Sequence, residues 1–380
     1  MFKSLTFLAI LLYFFCLILL NNIYGFILCL LLTQFVFSFS KRKFISNHFL
    51  LFLKNNKLLS ALYILSLTLV IFTFNLFRVQ SNIEYLFEND GDLVIETLDG
   101  FKSLEKIKQE IESELLFKNK NVEIRSISFK RNNESFVHKI KSFMSPNKVV
   151  IFEFNSSNKY SLTADTDNKL VPINCFQALN KQGSNFSLNT SFYGRNAIGE
   201  IIIENKKFGS RNTFASGFFK VIEGKPVVGA KSIFNQYMGD ISHSCQAYPS
   251  VMKNGALFDY IKTENPPYRS NWKKKTYRNL IGTLKNGNLV CVLSNTGGLL
   301  SVKEISMIAF KYGVVNATLF DGGAALQYQY ESNDFKLSFS ALNNNFDFGE
   351  VIDEIFFTKA NTHFPAKSPV FLTVKHIKEE

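Results

Sequence analysis

The chain has 380 residues, 46% of them hydrophobic, with 41 Phe and a formal net charge of +12. That length suits one sizeable domain plus accessory parts, and the hydrophobic share is too low for a polytopic transporter, so the apolar excess has to be local. Seven basic residues and no acid fall in residues 1–80, which leaves a surplus of only +5 elsewhere and gives no case for nucleic acid as a partner.

Phe2 to Leu20 and Ile23 to Phe39 are apolar runs separated by Asn21 and Asn22, and Leu58 to Phe77 is a third. Each is long enough to span hydrocarbon as a helix, so three transmembrane helices are expected. A cleavable signal peptide is the competing reading of the first run, but no A-x-A-like site follows it. Lys41, Arg42, Lys43, Lys54 and Lys57 between the second and third runs assign that loop to the cytoplasm by the positive-inside rule. Everything after Arg78 is then on the far side. The expectation is an integral membrane protein, in a bacterium an inner-membrane one with its C-terminal domain in the periplasm or outside.

Phe101, Leu104, Ile107, Ile111 and Leu115 recur at helical spacing, and Val122 to Phe129 alternates like a strand. Residues 81–146 therefore read as a small αβ spacer. From Asn147 the texture changes to short strands and Gly or Asn turns. Val149–Phe154, Tyr160–Thr163, Ile201–Ile203, Phe218–Ile222, Leu289–Leu293 and Val314–Phe320 are the expected strands, with helices near Pro172–Asn180 and Ser301–Tyr312. The fold class expected is α+β: a strand-rich mixed-sheet domain with a few helices over residues 147–380, preceded by the spacer and the membrane anchor of residues 1–80.

Gly313 to Tyr330 organises this domain. The apolar run Val314–Phe320 stops on Asp321, Gly322 and Gly323, which presents a carboxylate at a strand tip beside residues that let backbone approach closely. The plain alternative is a tight turn. Three earlier segments combine small residues with polar side chains: Asn189-Thr190-Ser191 leading to Gly199, Gln246 to Pro249 leading to Asn254 and Gly255, and Tyr277-Arg278-Asn279-Leu280-Ile281-Gly282 followed by an Asn286-Gly287 turn.

In this order and spacing, over roughly Val149 to Tyr330, these segments resemble the phosphodiester glycosidase family. That is the domain of the enzyme that uncovers mannose 6-phosphate by removing N-acetylglucosamine from its phosphodiester, and of its bacterial relatives. The most specific part is R-N-L-I-G, a short hairpin, a helix, then A-T-L-F-D-G-G. One departure is that Ala324 and Ala325 stand where the family often continues with Gly and Ser; either Gln327 or a water replaces the missing hydroxyl, or substrate choice differs.

A sugar 1-phosphodiester has a good leaving group, a phosphate monoester, so cleavage at its anomeric carbon asks less of a general acid than an ordinary glycoside does. It needs a cation on the phosphate, which Arg278 can supply through bidentate contact. It also needs a carboxylate near the anomeric carbon, which Asp321 can supply as base for water or as nucleophile. Asn189, Ser191 and Asn254 are the expected partners of sugar hydroxyls, with Gly199, Gly255, Gly322 and Gly323 giving close backbone approach. The expected activity is extracytoplasmic cleavage of a glycosyl phosphodiester in an envelope or surface glycan. The alternative is a non-catalytic glycan-binding or envelope-assembly module of the same fold.

His243 and Cys245 share a strand face, so a thiol nucleophile is conceivable, but no third orienting residue is identifiable. Cys175, Cys245 and Cys291 fall in no metal-like spacing, and one disulfide among them is open. Asp334, Asp347, Glu350, Asp353 and Glu354 supply oxygens a calcium ion can use, yet they do not match an EF-hand loop and read as a solvated face. No cofactor or metal is identified.

Overall fold

The computed structural model describes residues 91–97, 100–107, 111, 113–133, 147–165, 170–190, 198–237, 239–262, 274–341 and 367–377. The chain divides into two units, Met1–Arg78 and Val79–Glu380, and the first lies wholly outside the described residues.

Among the described residues twenty strands follow in order. The first six are β1 (Leu93–Thr97), β2 (Gly100–Ser103), β3 (Glu114–Lys118), β4 (Val122–Arg131), β5 (Asn147–Phe154) and β6 (Lys159–Thr163). Helix α1 (Cys175–Gln182) precedes β7 (Phe186–Asn189), β8 (Ile201–Ile203), β9 (Lys206–Phe208), β10 (Gly217–Ile222), β11 (Lys225–Ala230), β12 (Ile241–Ala247), β13 (Ser250–Lys253) and β14 (Ala256–Leu257). After α2 (Asp259–Lys262) come β15 (Asn279–Thr283), β16 (Leu289–Ser294), α3 (Val302–Lys311), β17 (Asn316–Phe320), β18 (Gln327–Glu331), β19 (Lys336–Ser340) and β20 (Phe371–Lys375).

The strands form three sheets. The largest has ten strands in the order β14-β13-β17-β15-β16-β5-β4-β1-β2, with β3 also on β4; the five-stranded sheets run β11-β10-β12-β8-β9 and β19-β18-β7-β20-β6. The middle of the large sheet is buried on both faces, which is why β5 and β16 read as continuous apolar runs rather than alternating ones. Phe152 and Cys291 face a core shared with Phe186, Tyr328 and Leu372 of one small sheet and Phe219 and Cys245 of the other. Ile151, Val292, Leu280 and Leu319 face a second core built with Ile305 and Ile308 of α3. The aromatic packing is direct: the Phe152 and Phe186 rings lie 4.8 Å apart, and Phe152 meets Tyr328 edge-on at 5.7 Å.

Both longer helices have sequence-legible ends. Asn174 and Gln177 close a capping box on α1, Ser301 and Glu304 close one on α3, and Gly183 ends α1 in the left-handed region at φ 53°.

Four expectations are corrected. Every strand pairing among the described residues is antiparallel, so the sheets are not mixed. The stretch expected as a helix over 101–117 is β2, a short 3-10 turn at Leu104–Lys106, and β3. Leu104, Ile107 and Ile111 are buried as their spacing required, but pairing with β1 and β4 sets the backbone, overriding local propensity. β4, within the stretch read as a spacer, pairs with β5 over eight residues, from Val122–Phe154 to Phe129–Asn147.

The expectation of three transmembrane helices, and with it the integral membrane location, is withdrawn: among the described residues no helix is long and apolar enough to cross a membrane. The runs at 2–20, 23–39 and 58–77 lie outside the described residues. The described part is sheet-rich with few helices.

Candidate active site

β17 is wholly buried over Asn316–Phe320, and the next residue, Asp321, is half-exposed. β15 runs antiparallel beside it with Asn279 opposite Phe320, so one step further along the register sets Arg278 level with Asp321. Side chains alternate across the sheet. Leu280 and Leu319 share the α3-side core, which gives Arg278 and Asp321 that same face, whereas Ile281 and Phe320 turn to the other core.

The strand tip is braced through its backbone. Asp321 N–H donates to the Thr190 carbonyl at 3.0 Å, and Gly323 N–H to the Tyr277 carbonyl at 2.7 Å. Asn189 Nδ2 donates to the Asp321 carbonyl at 2.8 Å, while its Oδ1 accepts from Gln327 N–H at 2.9 Å. Asn279 Nδ2 reaches the Asn189 carbonyl at 2.8 Å and the Asp321 carbonyl at 3.3 Å. Gly322 is required here: a Cβ would stand 2.5 Å from the Tyr277 carbonyl oxygen.

Burial pushes the Asp321 carboxyl up to about 7, against the Gly322 N–H, which favours the charged form. No ion pair reaches Asp321 among the described residues. Arg278 is half-buried, with Nε donating to the Leu300 carbonyl at 2.9 Å and Nη2 to the Lys274 carbonyl at 2.6 Å. Its backbone is held by Ser294, whose Oγ accepts Arg278 N–H at 2.8 Å and whose N–H donates to the Arg278 carbonyl at 3.0 Å.

The sequence-derived residues do not all gather here. Asp321, Gly322, Gly323, Arg278 and Asn189 do. Asn189, however, is fully buried with its side chain engaged inside the fold, so it braces the tip rather than offering itself to a sugar. Asn254 and Gly255 form the turn between β13 and β14, where Asn254 N–H donates to Asn316 Oδ1 at 2.9 Å and Gly255 N–H to the Val315 carbonyl at 2.7 Å. That is the opposite end of β17, on the order of 16 Å from Asp321 at about 3.3 Å per residue. Gly199, with φ 104°, packs on Gln246 at the β8 side of another sheet. Ser191 lies outside the described residues. Gln327 is not a stand-in hydroxyl, being buried with its Oε1 on Cys175 N–H at 2.9 Å. Asn279 and Thr190 fall within polar segments of the sequence that gave them no role of their own, yet both hold the tip. A lone Asn at the start of an otherwise apolar strand was the available signal.

Thiol chemistry finds no support. Cys245 is fully buried, burial pushes its thiol well above the ordinary range, and burial also lowers the pKa of His243. Cys175, Cys245 and Cys291 are unpaired thiols. Among the described residues no three His, Cys, Asp or Glu side chains cluster to hold a metal. Asp334 is exposed, and Asp347, Glu350, Asp353 and Glu354 lie outside the described residues.

Residues 182–354 match the family model of the phosphodiester glycosidases. The chain carries a phosphodiester glycosidase domain. Within the match fall Asn189, Arg278, Asn279 and Asp321, whereas β1–β6 and β20 lie outside it. No curated protein matches the chain. Among solved structures, a hypothetical protein from Synechocystis is similar at 12% identity and TM-score 0.45, over 69% of this chain and 63% of that one. The chain thus spans less than two thirds of that protein. The catalytic domain of zebrafish N-acetylglucosamine-1-phosphodiester alpha-N-acetylglucosaminidase, auto-inhibited by its pro-peptide, is similar at 10% identity and TM-score 0.47, over 77% of this chain and 93% of that one.

Proposed function

We propose that this domain hydrolyses a sugar 1-phosphodiester, a glycosyl phosphodiester of a glycan, with Asp321 acting at the anomeric carbon and Arg278 holding the phosphate. The observation that supports the reading is the register that ends with Asn279 opposite Phe320, which makes Arg278 and Asp321 the next residues beyond that end of the two strands. The phosphate monoester departs readily, so one carboxylate suffices where an ordinary glycoside calls for two. Ionised, Asp321 takes a proton from water or attacks the anomeric carbon itself; the guanidinium offsets the charge that builds on the departing phosphate.

Turnover of the methyl diester of a sugar 1-phosphate tests this. Asp321→Asn and Arg278→Ala each lower kcat/KM by roughly a thousandfold if both groups act on the reacting atoms. Unchanged turnover in both variants removes the assignment. A non-catalytic glycan-binding module is the second reading, favoured by Ala324 and Ala325 where a hydroxyl is otherwise expected. It requires glycan binding without turnover, insensitive to Asp321→Asn.

A further inference from the structure

Arg131 is the last residue of β4, and its side chain is fully buried. The guanidinium donates to both carboxylate oxygens of Glu304, at 2.6 and 3.1 Å, to the Leu299 carbonyl at 2.8 Å and to the Gly91 carbonyl at 3.0 Å. Glu304 is at the third position of α3. Its Oε2 also accepts Ser301 N–H at 2.7 Å, and Ser301 Oγ accepts Glu304 N–H at 3.2 Å. Burial alone would raise the Glu304 carboxyl; the Arg131 hydrogen bonds and charge outweigh it and hold the carboxyl below its ordinary range. One fork thus fixes the Leu299 carbonyl directly and the Ser301 N–H through a single carboxylate.

Leu300 lies between those two groups and points its backbone the other way. Its N–H donates to the Thr276 carbonyl at 2.9 Å, and its carbonyl accepts Thr276 N–H at 3.1 Å and Arg278 Nε–H at 2.9 Å. The three-residue segment Leu299–Leu300–Ser301 is therefore gripped by Arg131 and Glu304 on one side and presents the acceptor for Arg278 on the other.

We infer that Arg131 is a positioning residue for the Arg278 guanidinium, acting through Glu304 and the Leu299–Ser301 backbone. The inference rests on the reading of Arg278 as the phosphate-holding cation. Arg131 lies outside residues 182–354, so the strands that precede the family match supply part of the support of the site.

The test uses the full chain with Arg131→Met combined with Glu304→Gln, which removes both buried charges together and keeps the Ser301 capping box. Arg131→Lys, which keeps a charge and loses the fork, is the second variant. The first readout is the 1H–15N resonance of Arg278 Nε–H, assigned by its loss in Arg278→Lys, with its solvent-exchange rate. The second is kcat and KM for the methyl diester of a sugar 1-phosphate. The expected result is a shifted Arg278 resonance exchanging roughly tenfold faster in the double variant, a kcat lower by roughly 10- to 100-fold, and partial recovery in Arg131→Lys. An Arg278 resonance unmoved in the double variant overturns the inference whatever the activity; should that variant not fold, an unmoved resonance in Arg131→Lys overturns it. A shifted resonance in a protein whose wild type cleaves no diester upholds the positioning and removes the proposed function instead.

Discussion

The side-chain amide of Asn189 donates to the backbone carbonyl of Asp321 at 2.8 Å, tying the end of β7 to the tip of β17. The same side chain accepts Gln327 N–H at 2.9 Å, so both ends of the turn from Asp321 to Gln327 hang on one residue. Asn189→Ala leaves a buried donor and a buried acceptor with one partner fewer. The expected cost is about 2–4 kcal/mol, read as a lower urea midpoint with unchanged m-value. An unchanged midpoint would mean that Asn279 alone carries the brace.

Asp321 titrating at about 7 sets the pH dependence of turnover. The ionised carboxylate is the working form, as base or nucleophile, so kcat/KM should fall about tenfold per pH unit below the carboxyl's pKa and level off above it. Arg278 stays charged throughout this range. A pH–rate profile on a sugar 1-phosphodiester that shows no break between about pH 6 and 8 contradicts the assignment of Asp321.

Stability follows the same group with the opposite consequence. The folded state holds the Asp321 proton up to about 7, whereas the unfolded chain releases it near 3.8. The raised folded pKa contributes stability that is fully present below the unfolded value and is lost as pH rises through the folded one. Asp321→Asn cannot ionise, so it should be more stable than the wild type at about pH 8 and close to equal at about pH 4. Three pK units set an upper limit of roughly 4 kcal/mol on the difference. Paired urea melts at the two pH values measure it, and comparing variant with wild type cancels the acid sensitivity that the lowered Glu304 carboxyl adds.

Two glycines separate the site from its look-alike. Gly322→Ala puts a methyl 2.5 Å from the Tyr277 carbonyl oxygen, where only backbone movement relieves the clash. Roughly 1–3 kcal/mol of stability and most of the turnover should be lost together, because Asp321 is the adjoining residue. Gly255→Ala meets no atom within 4 Å but keeps φ at 77°, so it should cost about 1 kcal/mol and leave kcat and KM alone. A large loss of kcat in Gly255→Ala would bring the β13–β14 turn back into the site.

The three thiols of the domain are buried, and burial pushes that of Cys175 up to about 12. Folded protein should therefore resist alkylation at Cys175, Cys245 and Cys291, and all three should label on unfolding without a reductant. Rapid labelling of Cys245 in the folded protein would reopen thiol chemistry at His243 and Cys245.

Local chemistry is legible in the sequence where neighbours along the chain decide it. Ser301 and Glu304 announce a capped helix, Gly313 at φ 93° follows its end, and Val314–Phe320 stopping on Asp-Gly-Gly announces a buried strand with a carboxylate at its tip. The order of RNLIG, hairpin, helix and ATLFDGG sufficed to indicate the family. What the sequence could not decide is which end of a strand another segment reaches. Asn189 and Asn254 look alike as polar residues beside small ones, yet one braces Asp321 and the other caps the far end of β17, because strand pairing fixes position along the sheet. The apolar spacing from Phe101 to Leu115 predicts a helical face, and Leu104, Ile107 and Ile111 are indeed buried; but β2 and β3 flank them, because pairing with β1 and β4 set the backbone there. Only the tertiary structure could bring Arg131 to Glu304 across 173 residues, since a buried ion pair offsets the cost of losing water only where the fold sets both groups in hydrogen-bonding geometry and supplies partners such as the Leu299 and Gly91 carbonyls and Ser301 N–H.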